Sequence, residues 1–310
     1  MVNKKSRLNN TFIVFIKNIV VFGIILHLFS FSSFAYEIRV LKSKDAKPFD
    51  LFMKGFMDTV PSAKISVENM EGDIEKGVKI VRRIQGENPD LILALGAKAA
   101  WVAREVRNTR VVFSMLSGPE KYKLGNMAGV KLDVPVEFYL KQAKEIIPGL
   151  QIIGVIHSED RLIAEAKSAA GAMGLEIVSE KISSLEEIQS VMDVLLANVD
   201  AIWVHSDPVV MSSSRVVKEL IILKALRKRV PVIGFNKWLV DSGGALFCLF
   251  SNYDDIGRQT GRLVNRIKEN NSGHMIESPE AIKVFVNKDV VERLRQRIRI
   301  EIPQNAYFSD

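Results

Sequence analysis

The sequence predicts an α/β protein of two lobes, each a mostly parallel sheet with helices on both faces, joined by strands at a hinge. Three observations carry that expectation. Short apolar runs alternate with amphipathic segments along most of the chain, which is the β-α rhythm of parallel sheets. The rhythm stops between Ser117 and Pro135, where Gly118-Pro119, Gly125-Asn126 and Gly129 mark turns, and then restarts. Two apolar runs, Val232 to Phe235 and Ala245 to Phe250, then follow one another with no room for a crossover helix. That pattern predicts that the chain leaves one sheet and enters the other there.

From Tyr36, a strand is expected over Glu37 to Leu41 and a helix over Pro48 to Val60, with Pro48 near its first turn. Lys64 to Val67 reads as a strand. Ile74 to Ile84 reads as a helix carrying Ile74, Val78, Val81 and Ile84 on one side. Leu91 to Leu95 is a fully apolar strand ended by Gly96, followed by a helix over Ala97 to Val106 and a strand over Val111 to Met115. A short strand at Val130 to Leu132 lies in the first crossing. The second series has helices over Val136 to Ile147, Leu162 to Met173, Leu185 to Leu196 and about Ser212 to Leu226. Its strands fall at Ile152 to Ile156, Glu176 to Val178 and Ala201 to Val204. After Ala245 to Phe250, Ser251, Asn252, Asp254 and Asp255 supply helix-start chemistry, and Ile256, Thr260, Leu263, Val264 and Ile267 repeat at helical spacing. A turn at Asn270 to Gly273, a strand at Ile282 to Val286 and a basic helix from Asp289 to Arg299 complete the chain. The lobes are therefore expected to take residues 36–130 plus about 250–275, and 131–249 plus about 276–310.

The chain has 310 residues, 47% of them apolar and 25% charged, enough for two packed cores. Residues 1–35 combine Lys4, Lys5, Arg7 and Lys17 with an apolar run from Ile19 to Phe34 and end in Ser33-Phe34-Ala35. That is the pattern of a secretory signal peptide cleaved after Ala35, with an uncleaved membrane anchor as the other reading. Loss of those four basic residues, with no acid among them, takes the formal net charge from +7 to +3. So small a charge argues against a nucleic-acid partner. The single cysteine, Cys248, allows no intrachain disulfide and lies in an apolar run, as a core residue would.

In open parallel sheets ligands sit beyond the carboxyl ends of the strands. Applied to each series, that rule selects Ser43, Gly96, Ala97, Ser114 and Ser117 from the first and His157, Ser158, His205, Ser206, Asp207 and Asn236 from the second. Asp207 follows a strand and precedes Pro208, so it either receives a ligand ammonium or caps the next helix. Lys98, beside the amides of a helix start, either adds charge for an anion or is a solvated lysine. Trp238 in the loop after Asn236 offers a stacking wall, with Tyr253, Phe49 and Trp101 as further aromatic candidates. No residue at metal-ligand spacing accompanies His157 or His205, so neither a metal nor another cofactor is expected. The common enzyme signatures, a G-x-S-x-G elbow, a P-loop, an H-E-x-x-H helix and a G-x-G-x-x-G turn, are missing.

Several pieces in order carry a family resemblance: Leu95-Gly96-Ala97-Lys98-Ala99, Val111-Val112-Phe113-Ser114, Ile147-Pro148-Gly149, Val199-Asp200-Ala201-Ile202-Trp203, Pro231-Val232-Ile233-Gly234 and Tyr253-Asp254-Asp255-Ile256-Gly257-Arg258-Gln259-Thr260-Gly261. Together they resemble the extracytoplasmic substrate-binding proteins of ABC transporters, in the branch that includes aromatic amino acid binders. The resemblance implies two Rossmann-like lobes of the periplasmic-binding-protein type I kind, a monomer that closes over a small polar ligand, and a membrane permease as partner. It implies a periplasmic location and no catalysis. Members often carry Gly-Thr after the third strand, where a hydroxyl and helix amides hold a ligand carboxylate; here Ala97 follows Gly96. A ligand-binding sensor that reports to a membrane signalling partner without transport would need the same clamshell.

Overall fold

A computed structural model describes residues 36–125, 127–270 and 275–309. The expected signal peptide lies outside the described residues, as do Asn126 of one expected turn and residues 271–273 of another. Glu37–Pro61 and the chain from Ile65 onward form one compact unit, which holds both sheets. No helix among the described residues is long and apolar enough to cross a membrane.

The first sheet has the order β11-β5-β4-β3-β1-β2. Its strands are β1 (Glu37–Lys42), β2 (Lys64–Asn69), β3 (Leu91–Leu95), β4 (Arg110–Ser114), β5 (Ala128–Val130) and β11 (Ile276–Glu277). β3 is central because all five of its residues are apolar and buried, as a strand covered on both faces requires. It runs parallel to β1 and β4, with Leu93 opposite Val40 and Val112. Helices α1 (Lys47–Thr59), α2 (Ile74–Glu87) and α3 (Ala97–Ala103) connect these strands. α2 starts where Asp73 Oδ1 accepts from the amides of Glu75 at 2.8 Å and Lys76 at 3.2 Å, and it stops at Asn88 in the left-handed conformation.

The second sheet has the order β13-β12-β10-β9-β8-β6-β7. These strands are β6 (Ile152–His157), β7 (Glu176–Lys181), β8 (Ala201–Trp203), β9 (Val232–Gly234), β10 (Phe247–Phe250), β12 (Lys283–Val286) and β13 (Tyr307–Phe308). Helices α4 (Val136–Ile146), α5 (Arg161–Ala172) and α6 (Ile188–Leu195) intervene. A longer helix follows, in which α7 (Ser214–Val216) and α8 (Leu223–Arg227) flank a π-helical stretch at Val217–Ile222. β12 lies antiparallel against β10 because it arrives from the first sheet rather than through a crossover helix, and β13 runs parallel to β12.

One expectation is corrected. β9 and β10 are not in different sheets but are parallel neighbours in the second, with Phe247 opposite Ile233 and Cys248 opposite Gly234. The twelve residues 235–246 are enough for a parallel crossover when it consists of a single π-helical turn, Leu239–Gly243. The chain leaves the second sheet only after β10, through Ser251 and Asn252 into α9 (Tyr253–Asn270), and then adds β11 to the first sheet beside β5. It returns over residues 278–282 to β12 and ends with α10 (Lys288–Arg295), capped by Asn287 Oδ1 on the Val290 amide at 3.0 Å. Three segments thus pass between the sheets, where two were expected. The strand expected at Val130 to Leu132 lies slightly earlier, and its last two residues belong to the first passage.

α9 packs on α1 at backbone distance. A Cβ at Gly257 would lie 2.1 Å from the Phe52 carbonyl oxygen, and one at Gly55 would lie 2.0 Å from that of Asp254. Gly257→Ala is expected to destabilise the fold by about 1–3 kcal/mol through overpacking, whereas Gly86→Ala, where a Cβ meets nothing within 4 Å, should be neutral or stabilise by about 0.5–1 kcal/mol. Urea unfolding midpoints of the two variants check this, and equal midpoints would refute the tight crossing.

Candidate functional site

The carboxyl ends of β8, β9 and β10, the passages between the sheets and the loop after β4 enclose a cleft of about 970 Å³. Of the residues expected there, Ser117, His205, Ser206, Asp207, Asn236, Trp238 and Tyr253 line it. The rest of the first-sheet group does not, and the side chains of Ser43, Lys98 and Ser114 are hydrogen-bonded within the fold. Ser43 Oγ accepts the Ala99 amide at 2.9 Å and so closes the start of α3, where an anion was expected. Gly96, at φ +87°, sits so close to Ser43 that a Cβ would meet Ser43 Oγ at 2.8 Å, and Ala97 follows it half-buried. Lys98 Nζ donates to the Gly72 carbonyl at 2.6 Å. Ser114 is fully buried and donates to the Val130 carbonyl at 3.1 Å.

Asp207 has the capping role. Its Oδ1 accepts the amides of Val209 at 2.9 Å and Val210 at 3.0 Å, and its Oδ2 accepts the Ser158 amide at 2.7 Å. The Ser158 hydroxyl adds a bond at 2.9 Å. Burial opposes ionisation of this carboxyl, but those amides and that hydroxyl outweigh it and hold its pKa below the ordinary value. Asn236 is likewise a cap, its Oδ1 accepting the Leu239 amide at 3.0 Å.

The cleft also gathers residues that no local pattern marks, among them Tyr139, Trp203, Phe235 and Phe250. Tyr139, near the start of α4, places its hydroxyl 3.4 Å from the Phe235 carbonyl and 3.3 Å from that of Leu249, at the ends of β9 and β10. Those partners lie 96 and 110 residues away in sequence, so only the assembled sheet brings them together. The Tyr139 ring lies 5.6 Å from Trp203, and Trp203 lies 5.7 Å from His205, giving a wall of three rings. Phe235, Phe250, Tyr253 and Trp238 extend the aromatic lining. Burial pushes the His205 imidazole down to about 4, against the pull of Asp207, so it is neutral at physiological pH. The buried Cys248 thiol is pushed up to about 12, as befits a core residue rather than a nucleophile. Among the described residues no group of three His, Cys, Asp or Glu is placed to hold a metal ion.

Charges along the mouth are paired across the cleft. The 3₁₀ turn Pro119–Tyr122, which follows β4, supplies Glu120 and Lys121, while Glu159 lies just before α5 and Arg161 is its first residue. Lys121 Nζ lies 2.9 Å from Glu159, and Arg161 pairs with Glu120. The pairs run in opposite senses, which leaves this rim electrically neutral.

The architecture and cleft fit what the comparisons with known proteins find. The family model for ABC transporter substrate binding protein matches residues 53–306. The chain belongs to that family. A tyrosine-binding protein of Clostridioides difficile (strain R20291) is 23% identical over 257 residues, covering 78% of this chain and 73% of the relative. A solved structure of a substrate binding protein with adhesive properties from Clostridium difficile, ligand-free and open, superposes with a TM-score of 0.74 at 21% identity over 89% of this chain and 99% of that one. An L-Trp complex from Streptococcus pneumonia superposes with a TM-score of 0.57 at 22% identity over 88% of this chain and all of the other. As a substrate-binding protein of this family, the chain has a fold of two mostly parallel α/β sheets, as the sequence leads one to expect.

Two predictions follow from the second-sheet polar groups. Asp207→Asn replaces an acceptor with a donor that faces backbone amides, and is expected to lower the unfolding free energy by about 1–3 kcal/mol in urea titrations. For His205, the folded pKa of about 4 lies below the unfolded value of 6.5, so the unfolded state takes the proton first. Stability is then flat above about pH 6.5 and declines as pH falls towards 4, by roughly 3 kcal/mol in all. His205→Asn should remove this part of the slope, and a parent imidazole titrating near 6.5 by NMR would refute the assignment.

Proposed function

We propose that this substrate-binding protein captures an amino-acid-like ligand with an aromatic side chain in the cleft, outside the cytoplasm, and delivers it to the permease of an ABC transporter without chemical turnover. The observation that carries the reading is the aromatic wall of Tyr139, Trp203 and His205 at the strand ends, inside a cleft whose 970 Å³ is ample for one such ligand. The tyrosine-binding relative and the L-Trp complex support the same ligand class. The proposed route starts from an exported chain, consistent with the basic and apolar leader. Asp207 serves as the cap beneath the site, since its lone pairs are filled by Ser158, Val209 and Val210. The ligand ammonium falls instead to Glu165, which lines the cleft and has no ion-pair partner among the described residues. Ser117, Ser206, Asn236 and Trp238 contribute to the walls.

Differential scanning of the mature chain with L-tyrosine, L-tryptophan, D-ribose and D-glucose tests the proposal. An aromatic amino acid at a hundred times its dissociation constant should stabilise the native state by about 2.7 kcal/mol. A shift with the sugars and none with the amino acids would overturn the ligand class.

A further inference from the structure

The helices that cover the second sheet form another cavity, of about 310 Å³, which shares no lining residue with the cleft. It lies where the end of α8 meets α10, and Leu223, Leu226, Arg227, Arg229, Arg293 and Gln296 line it. All three arginines are exposed. No carboxylate among the described residues pairs with any of them, and none of their guanidinium groups has a hydrogen-bond partner within the chain. Elsewhere Arg39, Arg83, Arg161, Arg258 and Arg266 are all ion-paired. Nor do these arginines cap α8, because the carbonyls of Lys224, Ala225 and Leu226 already accept the amides of Lys228, Arg229 and Val230. Arg229 adopts φ +61°, a left-handed conformation in which glycine or asparagine costs less. Backbone preference therefore does not account for an arginine there. Residues 224–229 add Lys224 and Lys228 and contain no acid. Like charges gathered around one cavity repel one another, and an anion that enters relieves the repulsion. The guanidinium fork matches the oxygens of a phosphoryl group in particular, two donors to two acceptors.

We propose that the cavity lined by Arg227, Arg229 and Arg293 is a second binding site, which takes a phosphoryl anion, free in solution or as the headgroup of an acidic phospholipid. The site is independent of what the cleft binds.

Two measurements on the chain from Tyr36 provide the test. In the first, sodium phosphate is titrated against sodium chloride at equal ionic strength, and the arginine Nε–H signals are followed by NMR. Phosphate should shift the signals of Arg227, Arg229 and Arg293 and leave those of Arg82 and Arg110, which are also exposed and unpaired, in place. In the second, the chain is floated with vesicles of phosphatidylglycerol and phosphatidylcholine, or of phosphatidylcholine alone. Where a headgroup is the ligand, the chain should partition onto the acidic vesicles, and Arg227→Gln with Arg293→Gln should lower that partition by about thirtyfold. Arg82→Gln with Arg110→Gln removes the same charge elsewhere and should lower it far less. A response to phosphate without vesicle binding identifies the free anion, and vesicle binding lost with Arg227 and Arg293 identifies the headgroup. The inference is overturned if neither phosphate nor acidic vesicles act on these arginines, or if the two double variants lose binding equally, which would make net charge the cause.

Discussion

The backbone contact between α1 and α9 is the constraint on which the two-sheet arrangement depends. α9 begins directly after β10 of the second sheet, yet its buried face, including Ile256, Gly257, Thr260, Gly261 and Val264, packs with the first. Glycines at 55, 257 and 261 let the two helices approach until carbonyl oxygens occupy the space of a side chain. The contact fixes where the chain re-enters the first sheet. It thereby places Tyr253 and Asp254 at the edge of the cleft and leads β11 to its place beside β5. A larger residue at 257 would push α9 off α1 and shift both.

Around the cleft the charges fall into three groups with different electrostatic roles. Asp207 is a buried anion neutralised by backbone amides, which is how a carboxylate stays ionised at low exposure. Glu120, Lys121, Glu159 and Arg161 are exposed and paired across the mouth, where each ion pair is worth about 0–1 kcal/mol and is weakened by salt. Lys237 is the third kind, a cation backed by aromatic rings with no carboxylate beside it.

By itself the sequence determined the β-α order, the division into two parallel sheets and the family, because these rest on local periodicity and on motifs carried by neighbouring residues. Leu91 to Leu95 could be read as a central strand from its five apolar residues alone. It also located Asn236 and Asp207 at strand ends, since a polar residue after an apolar run is a local signal. What only the tertiary structure decided were matters of long-range partnership. That β9 and β10 are neighbours depends on a π-helical turn that no apolar period announces. That Ser43 closes the start of α3 depends on a bond spanning 56 residues. Tyr139 and Lys237 come to line the cleft beside carbonyls or rings that are distant in sequence. A residue's position along a strand follows from its neighbours in the chain, but whether its hydrogen bonds are already made or remain open for a ligand is decided by groups that only folding brings near.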